Sequence, residues 1–137
     1  VLKIDSMGAK DYSCEVCSKA ASEKHHIIFR SQCKALVNCE LNHSYLCSYH
    51  HRNSKVGVHF NKDLDRKLKL RFQNKIEVLL DKQYFTRQEI QEVLNINNKA
   101  TDSLCKTIKQ EKGVFSREEC LKAIMGGRII EELEDIE

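Results

Sequence analysis

The sequence predicts an α+β protein with an irregular, Cys- and His-rich front and a helical back. Three observations carry this. All six His and five of the seven Cys lie between residues 14 and 59. An apolar rhythm of four residues sets in near Asp63. Two helix starts downstream carry capping-box spacing. The 137 residues suffice for one ordinary domain or a small domain with an appendage. The predicted division is an N-terminal segment 1–11, a first domain 12–82 and a helical arm 83–137.

Residues 12–60 hold short apolar patches, Ile27 to Phe29 and Ala35 to Val37, and predict two short strands near 25–29 and 43–47 joined by a long loop. Leu64, Leu68, Phe72, Ile76 and Leu80 then recur every four residues among Lys, Arg, Asp and Gln. That is one amphipathic helix of about 18 residues with Asn61 as its N-cap. Thr86 with Glu89 and Ser116 with Glu119 have the hydroxyl-to-carboxylate spacing of capping boxes, each after a Phe. The segments 85–94 and 115–124 look alike, which shared capping grammar explains without a true repeat. Between them, 98–112 reads as a further helix with Ala100, Leu104, Cys105 and Ile108 on its apolar side. Gly126 and Gly127 end the last long helix, and an acidic tail follows.

Composition bounds the function. Apolar residues make up 41% and charged residues 31%, with no Pro and no Trp, which reads as soluble and globular. No apolar run approaches the roughly 18–20 residues of a membrane span, and no stretch has the layout of a secretory signal. The net charge of +3 is uneven: residues 1–75 carry 14 Lys and Arg against 7 Asp and Glu, and the remainder carry 9 against 13. A basic front suggests a polyanion partner, although plain solubility explains an excess of this size as well. An odd number of Cys forbids complete pairing within the chain, and a reducing compartment favours metal over disulfide.

Cys14 and Cys17, and Cys47 and His50, are two knuckle-type half-sites with two-residue gaps. Each tight turn aims two ligands at one ion, and together they complete a tetrahedron suited to Zn²⁺. One such pair alone reads more readily as buried small hydrophobes; the second tips the reading to zinc. Cys33 and Cys39 read as packing residues or spare thiols. Cys105 and Cys120 fall on apolar helix faces.

The spacer between the knuckles opens with His25, His26, Ile27 and Ile28 and contains Asn42; His51 follows the second knuckle directly. Over about residues 12–72 this resembles the HNH endonuclease family. The resemblance implies a small ββα-metal HNH core, stapled by the structural zinc and followed by the helical region. It implies that His26 is the general base, that His25 and His51 hold a catalytic divalent ion, and that Asn42 pins the loop between strand and helix by amide hydrogen bonds to the backbone and so fixes the base. Cys14, Cys17, Cys47 and His50 would hold the structural zinc.

The chemistry asks for these residue types. An imidazole with an ordinary pKa of about 6.5 can take a proton from water at neutral pH. A dication neutralises charge on phosphate oxygens. His rather than Asp as first ligand favours Mn²⁺, Ni²⁺, Co²⁺ or Zn²⁺, with Mg²⁺ weaker. Neighbouring residues of a strand face opposite ways, so His25 and His26 serve one site only if the strand end bends. His50 and His51 use the same geometry to face the knuckle and the active site. His59 is open between a further ligand, a phosphate contact and a packed side chain, the last two together being preferred, and His43 reads as exposed.

Arg30, Lys34, Arg52, Lys55 and Lys62 are the candidate phosphate contacts, which bind in a salt-dependent, largely sequence-blind way. The run from Glu89 to Ile96, with the helix carrying Leu104, has the rhythm of a helix-turn-helix in which Asn95 takes the left-handed turn position. That arm is net acidic, so DNA reading and plain scaffolding both stay open. The expectation is a metal-dependent HNH endonuclease that nicks or cuts DNA, with no membrane partner, in the cytoplasm of a bacterium or phage-infected host. The competing expectation is a non-catalytic zinc-binding nucleic-acid or regulatory module; a weaker third is a protein-interaction adaptor.

Overall fold

The structure is a computed structural model that describes residues 12–21 and 23–131. The predicted segment 1–11 and the acidic tail beyond Glu131 lie outside the described residues. The fold is mixed helix and small sheets. The chain divides into two compact units, and not at residue 82: the first takes in residues up to 27 and 43–68, the second 28–42 and 69 onward. No helix among the described residues is long and apolar enough to cross a membrane.

The first unit is built on a hairpin ladder. Strand β1 (Glu23–His26) pairs antiparallel with β2 (His43–Leu46), placing His25 opposite Ser44 and His26 opposite His43. The period of two sorts the side chains. Glu23, His25, Ser44 and Leu46 share one face; Lys24, His26, His43 and Tyr45 share the other. His25, Ser44 and Leu46 are buried. Tyr45 stacks on Tyr12 with ring centroids 3.7 Å apart. Both strands stop short of their predicted ends for local reasons. Phe29 enters a turn in which Gln32 Oε1 accepts its N–H and its carbonyl accepts from the Gln32 and Cys33 N–H groups. Cys47 becomes the N-cap of α1 (Ser48–Arg52).

Helix α2 (Lys62–Leu79) begins as expected. Asn61 Oδ1 accepts from Leu64 N–H at 3.1 Å, and its carbonyl accepts from Asp65 N–H. Leu68, Phe72, Ile76 and Leu80 are buried.

In the second unit the loop 28–42 is a hydrophobic insert rather than a bare connection. Ile28, Ala35, Leu36 and Cys39 are buried, the 3₁₀ turn Lys34–Leu36 packs on α4 (Asn98–Cys105), and Cys39 Sγ donates to the Leu94 carbonyl. Burying that apolar surface draws the insert into the helical unit. This is why the division of the chain is discontinuous.

The two look-alike segments pair with each other. β3 (Tyr84–Phe85) lies antiparallel to β4 (Phe115–Ser116), with Phe85 directly opposite Phe115. Each strand runs into a capped helix, α3 (Arg87–Leu94) and α5 (Arg117–Ile124). Thr86 and Glu89 form a full capping box, and Ser116 Oγ accepts from Glu119 N–H. Asn95 adopts the left-handed conformation between α3 and α4. The helix expected over 98–112 ends at Cys105. Lys112 and Gly113, both at positive φ, instead form the two-residue turn that leads into β4. Arg117 closes the C-terminal end of α2 by donating to the Glu77 and Leu80 carbonyls.

Candidate metal centre

The first unit gathers two separate groups of metal-ligating side chains. Cys14, Cys17, Cys47 and His50 form one; His25, His51 and His59 form the other, each with its donor atoms within 4.8 Å of one another.

The cysteine group is made by two turns. In the first, Ser18 takes a left-handed conformation and its N–H donates to the Cys14 carbonyl, while Cys14 N–H donates to Lys19. Glu15 N–H ties this turn to Tyr45 of β2. The second turn is the start of α1. Cys17 Sγ and Cys47 Sγ stand 3.8 Å apart, and His50 Nδ1 lies 3.4 Å from Cys47 Sγ and 3.8 Å from Cys14 Sγ. Tetrahedral zinc with ordinary bond lengths would hold two sulfurs about 3.8 Å apart and a sulfur and nitrogen about 3.6 Å apart. The donor set therefore fits one tetrahedral metal ion and is compatible with zinc. Burial works to raise the Cys14 thiol, but backbone N–H groups of Cys47, Cys17 and Val16 outweigh it and lower it to about 6. Such a group gives up its proton readily to a metal.

The histidine group has a buried floor and an open rim. His25 is 2% exposed, whereas His59 is exposed. The His25 ring lies 5.2 Å from that of His51 and 5.0 Å from that of His59. His51 and His59 bring their Nε2 atoms to 3.2 Å, close to the roughly 3.3 Å between two imidazole nitrogens on a tetrahedral ion. Three neutral nitrogens suit a transition metal, and a three-ligand set leaves coordination positions for water or substrate. His51 is oriented from behind: its Nδ1 meets Glu23 Oε1 at 2.5 Å, and Arg52 Nε donates to the same oxygen at 2.8 Å. These two partners, His51 first, hold the Glu23 carboxyl below its ordinary range. A carboxylate on the far nitrogen of a ligating imidazole fixes its tautomer and direction.

His50 and His51 are thus divided between the two groups. His59 joins the ligand cluster, against the reading of it as a phosphate contact or packed side chain. Gly57 explains how. A Cβ there would stand 2.6 Å from the backbone N and O of Asn53, so only glycine lets this turn close. Val58 N–H then donates to the His50 carbonyl at 2.7 Å, and His59 follows at the site.

His26 is not a member of the group. Its ring meets that of His43 edge-on at 5.1 Å, on the other face of the ladder from His25. His43 is half-buried in that contact rather than exposed.

Asn42 is fully buried, and its amide is used on backbone. Oδ1 accepts from Ile28 N–H at 2.7 Å, and Nδ2 donates to the carbonyls of Ile28 at 3.0 Å and Leu36 at 3.3 Å.

Among the candidate phosphate contacts, Arg52, Lys55 and Lys62 belong to the first unit and are exposed. Arg30 and Lys34, also exposed, belong to the second. Cys39 and Cys120 are buried, and burial pushes the Cys120 thiol up to about 12, as a packing residue requires.

One member of the site, Glu23, was missed in the sequence, and His59 was weighed as a ligand but not preferred. Glu23 stands two residues before His25, so the strand period alone puts them on one face. His59 carried the weaker signal of being the last of the clustered His, two residues after a glycine.

No protein-family model, curated protein or solved structure matches the chain.

Proposed function

We propose that the first unit is a metal-dependent phosphodiester hydrolase of the HNH type, acting on DNA. The observation that carries this reading is the convergence of His25, His51 and His59, with Glu23 behind His51, on a hairpin whose next residue is a further imidazole, His26.

A divalent ion held by the three His would supply positive charge to a non-bridging phosphate oxygen and to the departing 3′ oxygen. The remaining work falls to the chain. His26 accepts a proton from the attacking water. In-line displacement puts attacking and leaving oxygens on opposite sides of phosphorus. A base therefore belongs beside the ligand group rather than within it; His26 is the last residue of β1 with its ring on the ladder face opposite His25, so this role requires the strand to curve at that end. Asn42 holds the backbone at Ile28, two residues past the base. Exposed Arg52, Lys55 and Lys62 offer phosphate contacts. The products are 5′-phosphate and 3′-hydroxyl ends. The cysteine group, as a zinc site, pins α1 and so the position of His51.

The competing reading is a non-catalytic zinc-binding nucleic-acid module. It needs only the cysteine group and leaves the second cluster without a purpose. The discriminating experiment is nicking of supercoiled plasmid by metal-stripped protein, with Mn²⁺, Ni²⁺, Co²⁺, Zn²⁺ and Mg²⁺ added back singly. Hydrolase action predicts cutting restored by the first four above all. Absence of cutting with every ion, while DNA is still bound, would favour the binding module.

A further inference from the structure

We infer that Phe60 and Tyr49 form a stacking platform for unpaired nucleobases, so that the substrate of the first unit is a single strand or an unstacked segment rather than intact duplex. This rests on reading the unit as a nucleic-acid hydrolase and adds the class of strand it takes.

Phe60 is 60% exposed and Tyr49 is 55% exposed. Each directly neighbours a residue of a metal-ligand group: Phe60 follows His59, and Tyr49 precedes His50. Neither sits on loose chain. Phe60 N–H donates to the Gly57 carbonyl at 2.8 Å, and the next residue, Asn61, caps α2. The Tyr49 carbonyl accepts from Asn53 N–H at 3.0 Å, and its ring packs edge-on to His50 at 5.2 Å. Two large rings are thus presented to solvent on backbone that is already fixed, which keeps the entropy cost of stacking on them low.

Single exposed apolar residues are ordinary. What points to a ligand here is the charge carried by the same stretch of chain, in which Arg52 also meets Glu23. From Tyr49 to Lys62 the chain carries Arg52, Lys55 and Lys62 and no Asp or Glu, and all three cations are exposed. Aromatic faces set among cations are the means by which proteins hold single strands: bases stack on the rings and phosphates meet the charges. An intact duplex keeps its base faces stacked on each other and offers these rings nothing.

Fluorescence anisotropy tests this. The full chain is titrated, without added divalent ion, against an oligothymidine of about 12 nucleotides and a duplex of equal length. The single strand should bind more tightly. Phe60→Ala should weaken single-strand binding about tenfold, Tyr49→Ala by a similar factor, and Phe60→Trp should restore it. Duplex binding, governed by phosphate contacts, should change little in any of these variants. The proposal is overturned if Phe60→Ala leaves single-strand binding intact or weakens both probes equally. It is also overturned if duplex and single strand bind alike. Failure to cut a single-stranded DNA circle with any of the five ions, with the strand preference and the Phe60 effect preserved, would sink the hydrolase reading and leave the platform standing.

Discussion

Glu23 Oε1 meets His51 Nδ1 at 2.5 Å, leaving the opposite ring nitrogen 3.2 Å from His59 Nε2. One carboxylate on β1 therefore aims an imidazole on α1 at a partner on the turn after it. Removing it should loosen the metal without removing a ligand. Glu23→Ala is expected to weaken metal binding at the histidine group between about 10- and 100-fold, with the cysteine group's metal retained. Competitive titration against a chelator with known affinity measures both.

The turn that delivers His59 depends on Gly57. A methyl group there collides with Asn53 backbone rather than with a side chain that can move. Gly57→Ala should displace His59 and lower metal affinity at the histidine group as far as His59→Ala does. Unchanged affinity would show that the turn does not set the ligand.

Asn42 is the buried clamp of the 28–42 insert. Asn42→Ala strips Ile28 N–H of its acceptor and two buried carbonyls of their donor. An unsatisfied buried group costs about 1–3 kcal/mol, so urea unfolding should show a loss of about 3 kcal/mol. Asn42→Asp keeps the acceptor alone and should recover only part of it.

How much of this was legible in the sequence follows from the range of the forces involved. The α2 start at Asn61, the Thr86 capping box and the Asn95 turn are local devices with fixed spacing, and they stand where the spacing puts them. The cysteine group was legible because two-residue gaps admit few geometries. The insert's allegiance to the helical unit was not, since it depends on Cys39 and Leu36 finding apolar partners far along the chain. The Phe85–Phe115 pairing was hidden because a two-residue strand has no period to read. His59's place beside His25 and His51 was only weakly legible, because Gly57 marks a turn without showing that it folds back onto α1.

Acid stability should report on the α3 cap. Lys82 first, then the Thr86 N–H, hold the Glu89 carboxyl below its ordinary range. Because the folded value is depressed, the stabilisation is present above the ordinary carboxylate range and is lost as pH falls through the lowered value. Glu89→Gln should flatten that part of the acid limb in a melting-temperature profile taken below about pH 5. A profile that superimposes on the wild type would rule out this contribution.

Cys14→Ser should release the metal of the cysteine group and unfold the hairpin unit with it, since a structural zinc site contributes folding energy directly. Metal content and a melt followed by tyrosine fluorescence, which reports on the Tyr12–Tyr45 stack, should fall together.

The decisive comparison is the single-turnover cutting rate of wild type and His26→Ala on supercoiled plasmid with Mn²⁺ present. Loss of a general base predicts a rate at least about 100-fold lower, with metal uptake and DNA binding unchanged. A His26→Ala protein that cuts as fast as wild type would contradict the assignment of the imidazole beside the three-histidine group.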